Sequence, residues 1–334
     1  MQPGKLPLDL LSRLLGEIDV RDPRVVLGAR AGEDAALIDF GDRYLVAKTD
    51  PITFATDLIG WYMVQVNAND IAVMGGTPRW LMTTLLLPDT TPEAEVERIF
   101  TQVREACEAL NITLIGGHTE ITYDLSRPIA VGAMLGEVPK ERAVLTSGAR
   151  PGDSIVLTKA IAVEGTSILA REAANDLSER GVSLDTINRA KEFLFSPGIS
   201  VVPEASIACD VVDVHAMHDP TEGGLSGGLV EMAAAANVGL LIDMEAVPVL
   251  PECREICDAL GLDPLGLIAS GSLLAALPPS EVETLITALA REGIAASEIG
   301  TVTDPADGIK VRYGDEVRDL PTFPRDELAR WFGG

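Results

Sequence analysis

Apolar residues dominate from Leu58 to Met74, and no lysine or arginine lies between Asp57 and Pro78. This pattern predicts a buried helix. Gly75-Gly76 supplies a left-handed stop and Pro78 prevents the helix from resuming. The stretch also carries Asn67, Asn69 and Asp70. Asn67 and Asp70 are three apart and share one helical face, whereas Asn69 points elsewhere. A carboxylate in such company is costly without a compensating partner. Two readings stay open on this stretch alone: a cap or hydrogen-bonded core aspartate, or a ligand for a divalent cation.

Other elements follow from the same patterning. A short helix is expected over residues 7–15 and a strand from Tyr44 to Thr49, held extended at its end by Asp50-Pro51. Trp80 to Leu87 is strand-like. Thr91-Pro92-Glu93 starts a helix that runs to about Leu110. Ile112 to Ile115 reads as a buried strand leading into a Gly116-Gly117-His118-Thr119-Glu120 turn, and Pro128 to Val138 as a further strand. In the second half, strands are expected at Ser154–Lys159, Val211–Met217, Gly239–Asp243 and Leu267–Leu277. Helices are expected near 166–180, 185–194, 200–208 and 225–236, with a capping box at Ser280 and Glu283 opening another. The Arg150-Pro-Gly-Asp153 turn suggests a division into residues 1–150 and 151–334. The mixed element order of the first half favours an α+β fold over strict βαβ repetition.

Composition narrows the function classes. The chain has 334 residues, is 47% hydrophobic and 4% aromatic, and carries a formal net charge of −25. That charge argues against nucleic acid or an anionic membrane as partner, since both need a basic footprint. It leaves nucleotides open, because their phosphates are reached through Mg²⁺ and backbone N–H groups. The four cysteines, at 107, 209, 253 and 257, show no zinc or C-x-x-C spacing. With no signal-peptide pattern and no long apolar span, we expect a cytoplasmic protein.

Carboxylates recur at turns beside strands: Gly32-Glu33-Asp34, Thr49-Asp50 and Asp219-Pro-Thr-Glu-Gly223-Gly224, with Asp70 on the helix. Oxygen ligands gathered from separate turns are what Mg²⁺ sites around phosphates use. Gly116-Gly117 and Gly223-Gly224 would let the backbone approach a ligand, and Gly224 would open a helix whose N–H groups favour anions. Lys48 and Lys159 each end a predicted strand and are either phosphate contacts or ordinary surface lysines. No Walker A, G-x-G-x-x-G or kinase catalytic-loop motif is present.

Taken together, Gly-Glu-Asp-Ala-Ala (32–36), Thr-Asp (49–50), Asn-x-x-Asp-x-x-x-Met-Gly-Gly-x-Pro (67–78), Gly-Gly-His-Thr (116–119) and Asp-Pro-Thr-Glu-Gly-Gly-Leu (219–225) carry a resemblance. Their order and spacing resemble the aminoimidazole ribonucleotide (AIR) synthase-like ATP-binding superfamily, with its PurM-like fold. Within it the Asp-Pro-Thr form looks most like the hydrogenase-maturation HypE branch. The resemblance implies two α+β domains, with N-terminal sheets that pair in a homodimer to make a barrel, and ATP with Mg²⁺ as cofactors.

Carried over by position, Asp34, Asp50, Asp70 and Asp219 look like metal ligands, with Asp70 and Asp219 also nearest the chemistry. Asn67, Gly116, Gly117, His118, Thr119, Lys159, Gly223 and Gly224 would line the nucleotide. His118 stands where the family usually has a carboxylate. The last cysteine is Cys257 and the sequence closes on Arg330-Trp-Phe-Gly-Gly334. HypE chemistry on a C-terminal cysteine is therefore not expected in its known form. The implied activity is ATP-dependent phosphorylation or activation of a small molecule, or of a carbamoyl or amide oxygen. Alternatives are a thiamine-monophosphate kinase-like phosphotransferase and an ATP-binding maturation or regulatory partner without turnover.

Overall fold

The structure, a computed structural model, describes residues 5–54 and 57–333. By contacts the chain forms two compact units, one of residues 20–28 and 34–143, the other of 1–19, 29–33 and 144–334. The Gly32-Glu33-Asp34 motif is thus shared out, with Asp34 in the first unit and its two predecessors in the second. The opening helix α1 (Leu8–Leu15) groups with the second unit.

The first unit holds one mixed sheet of β1 (Val25–Leu27), β2 (Ala36–Asp39), β3 (Arg43–Ile52), β4 (Thr77–Pro88), β5 (Thr113–Thr122) and β6 (Ile129–Pro139). Their order is β1-β2-β3-β6-β4-β5, antiparallel throughout except for the parallel β4–β5 pair. Helices α2 (Ile59–Val73) and α3 (Glu93–Ala109) pack against each other, and α2 lies on β3 and β6.

Helix α2 is the buried stretch expected from sequence, and every residue in it except Trp61 is buried. It ends where predicted, with Gly75 at φ +73°. The sheet makes room for it with glycine. A Cβ at Gly132 of β6 would overlap the Asn67 amide, and one at Gly136, on the same face of that strand, would run into Ile71. The helix therefore lies closer to the sheet than side chains on β6 would allow.

Strand β5 corrects an expectation. The Gly116-Gly117-His118-Thr119 segment is not a turn after a buried strand. Together with Thr113–Ile115 and Glu120–Thr122 it forms one strand, and nearly all of it is exposed. Gly117 is required there by a neighbouring strand: at φ +153°, its missing Cβ leaves room for the Thr83 carbonyl of β4. Period-two patterning could not find this strand, because neither of its faces is covered.

The second unit continues with β7 (Ser154–Thr158), α4 (Val163–Glu172), α5 (Ala174–Glu179), α6 (Leu184–Lys191), α7 (Val202–Val211), β8 (Ala216–His218), α8 (Gly224–Ala236), β9 (Gly239–Asp243) and α9 (Pro251–Leu260). Then come β10 (Leu274–Leu277), α10 (Val282–Arg291), β11 (Ala296–Thr303), β12 (Ile309–Tyr313), β13 (Glu316–Asp319) and α11 (Glu327–Phe332). The sheet order is β13-β12-β9-β11-β7-β10-β8. Its buried strands β7 and β10 carry continuous apolar runs, Ile155–Leu157 and Leu274–Leu277, as strands covered on both faces do.

Three expectations shrink here. The 211–217 strand is only β8, and the 267–277 strand is only β10, preceded by a short 3-10 turn at Pro264–Gly266. Ser280 and Glu283 make no capping box: residues Pro279–Glu281 form a 3-10 turn and α10 begins without a side-chain cap. Strands β11, β12 and β13, missed from sequence, complete the sheet.

The Gly132 contact has a measurable consequence. Gly132→Ala should displace Asn67 and cost about 1–3 kcal/mol, as overpacking does. Urea denaturation should show a lower midpoint with an unchanged slope, and an unchanged midpoint would refute the close approach of α2 to β6.

Candidate functional site

The acidic cluster of the first unit is assembled by α2 and β3. Asn67 does the positioning. Its Oδ1 accepts from the Asp50 N–H at 2.9 Å, while its Nδ2 donates to the Asp50 carbonyl at 3.2 Å and to the Met63 carbonyl at 2.8 Å. The side-chain amide thus acts as a short piece of strand, pairing helix with sheet at the residue that carries a carboxylate. One helical turn further on, Asp70 is buried and faces Lys48 at 3.0 Å. Lys48 and Asp50 are two apart on β3, hence on one face, and their charged ends lie 3.7 Å apart. Oxygens of Asp34 and Asp70 come within 4.8 Å of one another.

Lys48 is therefore the cation that the helix lacked in sequence, supplied from the neighbouring strand. Burial depresses its ammonium, but Asp70, Asp50 and Asp34 outweigh that and raise its pKa above the ordinary lysine value. Burial also raises the Asp70 carboxyl, with Asp50 and Asp34 adding to the rise against Lys48. The two shifts favour opposite states of the pair. We take the ammonium as charged, because three carboxylates face one lysine.

Three carboxylates therefore gather around Lys48. The buried Oδ2 of Asp70 also lacks a hydrogen-bond partner. An all-oxygen donor set of three acids with an open carboxylate oxygen fits a hard divalent cation of the Mg²⁺ type.

In the second unit, β8 delivers His218 and Asp219, both buried, to the loop that opens α8. His218 turns onto α8, with Nε2 3.1 Å from Glu231. Lys5 reaches the same carboxylate at 3.3 Å and the Thr221 hydroxyl at 3.0 Å. Burial pushes Glu231 up, but Lys5 and His218 outweigh it and hold the carboxyl at about 2. His215 lies against the Arg150–Asp153 turn, with Nδ1 2.9 Å from Asp153.

Gly223 and Gly224 do open a helix. Gly224, at φ +64°, leaves no room for a Cβ against the Leu265 and Leu267 carbonyls. The Gly223 N–H is engaged by the chain's own anion, donating to Asp326 Oδ2 at 2.6 Å. Sequence reasoning missed Asp326, which reads only as the start of the last helix. It does cap Leu328 at 2.8 Å, but its other oxygen spans 103 residues.

The other candidates are placed as follows. Lys159, at φ +55° just after β7, points inward, where its ammonium meets Glu204 at 2.6 Å and the Gly198 and Ser200 carbonyls at 3.1 and 2.5 Å. Glu33 accepts from the Thr146 and Ser147 N–H groups at 3.1 and 3.3 Å. On β5, His118 is exposed and pairs with Glu120 at 3.2 Å, and Thr119 and Gly116 are exposed beside it.

These folds and clusters agree with what the chain resembles. It matches the N-terminal domain of AIR synthase related proteins over residues 32–138 and their C-terminal domain over 150–312. Carbamoyl dehydratase HypE of Azotobacter vinelandii is 30% identical over 279 residues, covering 80% of this chain and 78% of that protein. A Methanocaldococcus jannaschii protein named for hydrogenase expression and formation is 28% identical over 330 residues, 95% of this chain and 94% of its own length. A HypE structure in complex with ATP superposes with a TM-score of 0.70 at 23% identity, over 95% of this chain and 96% of that one. The chain belongs to the AIR synthase related family, with the two-domain α+β fold that family carries.

One buried acid outside these motifs has a measurable effect. Burial pushes Glu164, in the first turn of α4, from 4.5 up to about 8. A carboxyl with a raised folded pKa stabilises fully below its unfolded value, and that contribution is lost as pH rises through the folded one. Wild type should therefore lose melting temperature relative to Glu164→Gln between pH 4.5 and about 8. Thermal melts across that window test this, and parallel curves for the two proteins would contradict it.

Proposed function

We propose that this protein is an ATP- and Mg²⁺-dependent enzyme that phosphorylates a small substrate or activates a carbonyl, carbamoyl or amide oxygen. The observation that carries this reading is the Asp34–Asp50–Asp70 cluster, three carboxylates gathered around the Lys48 ammonium with the Asp70 Oδ2 open. Family membership supports it, as does the ATP complex of the related HypE. Asp34, Asp50 and Asp70 would hold Mg²⁺, which would neutralise phosphate charge as it develops in transfer. Asp219, the remaining ligand that the sequence pattern assigns, would serve the phosphates.

The chain's own residues do the positioning. Asn67 fixes the backbone of Asp50, and Lys48 keeps Asp70 aimed into the cluster while leaving its Oδ2 open. Lys159, satisfied by Glu204, would act on a nucleotide only by giving up that pair. Exposed Gly116, His118 and Thr119 would reach a ligand from the sheet edge, and Gly223 by exchanging Asp326 for a phosphate.

The reading is tested by ADP release with Mg²⁺ and candidate acceptors. Asp70→Asn should reduce it by at least 10²-fold, and an ATP analogue should raise the melting temperature only when a divalent cation is present. Tight ATP binding with no ADP formed on any acceptor would favour a non-catalytic maturation or regulatory partner. An equal thermal shift in EDTA would count against the metal site.

We also propose a cytoplasmic homodimer formed through β5. No helix among the described residues is long and apolar enough to cross a membrane. Strand β5 is last in its sheet, and it exposes Leu114, Ile115 and Ile121 along an unpaired edge. Such an edge invites pairing with another strand. Sedimentation should give a dimer for wild type and a monomer for Ile115→Asp, and a monomeric wild type would refute the pairing.

A further inference from the structure

Lys48 and Lys159 both turn toward carboxylates, but they are held in different ways. The Lys159 ammonium meets Glu204 at 2.6 Å and is fixed by the Gly198 and Ser200 carbonyls at 3.1 and 2.5 Å. Its side chain is 7% exposed. Backbone carbonyls of a folded chain do not leave, so Lys159 is a permanent partner. Among the described residues the Lys48 ammonium meets only carboxylates, Asp70 at 3.0 Å and Asp50 at 3.7 Å. Its side chain is 22% exposed, so the flexible four-carbon stem has solvent beside it and room to swing.

The groups that hold Lys48 are also the ones a divalent cation would use. Asp70 is 3% exposed, gives one oxygen to Lys48 and leaves Oδ2 without a hydrogen-bond partner. An Asp34 oxygen lies within 4.8 Å of an Asp70 oxygen. A dication seated there would share the Asp70 carboxylate with an ammonium 3.0 Å from it. Two cations on one buried carboxylate repel each other strongly, because little water screens them. The chain thus neutralises Asp70 with its own side chain, and that side chain stands against the metal.

We propose that Lys48 is an internal counter-cation that competes with a divalent ion for Asp70 and keeps metal affinity low in the free protein. A ligand that carries negative charge gives the ammonium another partner and relieves the competition. Naming that ligand a nucleotide phosphate rests on the Mg²⁺ and ATP reading above; the competition itself does not. Metal and phosphate then bind with positive coupling, each raising the affinity for the other by the same factor.

The test titrates Mn²⁺ into the full chain by calorimetry, without nucleotide and then with saturating ADP. Wild type is compared with Lys48→Met, with Lys48→Arg, which keeps the charge, and with Lys310→Met, which removes a lysine paired to Asp319 on the other sheet. Without nucleotide, Lys48→Met should bind Mn²⁺ at least about tenfold more tightly than wild type, while Lys48→Arg and Lys310→Met stay near it. ADP should raise the Mn²⁺ affinity of wild type more than that of Lys48→Met. Thermal melts give a second readout: Lys48→Met should melt below wild type in EDTA, since Asp70 has lost its partner, and should gain more from Mn²⁺.

Equal or weaker Mn²⁺ binding by Lys48→Met, or no greater stabilisation of it by Mn²⁺, would overturn the proposal and leave Lys48 a structural partner of Asp70. The same tightening in Lys310→Met would also overturn it, by making the effect one of net charge. An equal ADP effect in wild type and Lys48→Met would overturn the part of Lys48 in the coupling. Tighter Mn²⁺ binding by Lys48→Met with no ADP effect in either protein would uphold the competition for Asp70 while counting against the nucleotide reading.

Discussion

The first unit depends on how close a polar helix can come to a sheet. Helix α2 is buried nearly all round, yet carries two asparagines, a glutamine and an aspartate. Such a helix is stable only if its polar groups find partners, and β3 supplies them. Gly132 and Gly136 remove the side chains that would hold the helix off the sheet, so that the Asn67 amide reaches the backbone of Asp50. The same closeness sets Asp70 beside Lys48. Packing and site are one feature here: the glycines that let α2 settle also bring three carboxylates around one ammonium.

Helix α2 was legible in sequence because its signals are local: an apolar run, a double-glycine stop and a proline. Asp70 stood out from its spacing to Asn67 and from the absence of a nearby basic residue. Its partner was not, because Lys48 lies on another element and nothing in a strand pattern says which helix it faces. Lys159 shows the same limit from the other side. It sits at a strand end, as a phosphate contact would, but its ammonium is turned inward onto Glu204, forty-odd residues along the chain. Strand β5 was misread for a different reason: patterning reports faces that are covered, and β5 has none.

The buried acids can be ranked by how well the chain pairs them. Glu204 has Lys159 at 2.6 Å, and Glu231 has Lys5 and His218. Asp70 has Lys48 but shares it with Asp50 and Asp34. The charges that most affect Glu164 are those of Glu222 and Asp326. Leaving a buried charge without its partner costs about 3–5 kcal/mol, a large fraction of a domain's stability. A chain of net charge −25 has few basic residues to spend inside, and this one places them on Glu204 and Glu231. Scarcity alone does not explain the rest, since a neutral side chain at position 164 would remove the cost without any lysine. Asp70 and Glu164 each keep one buried oxygen without a hydrogen-bond partner. At Asp70, where three carboxylates gather around one lysine, that open oxygen is the feature a cation from solution would answer.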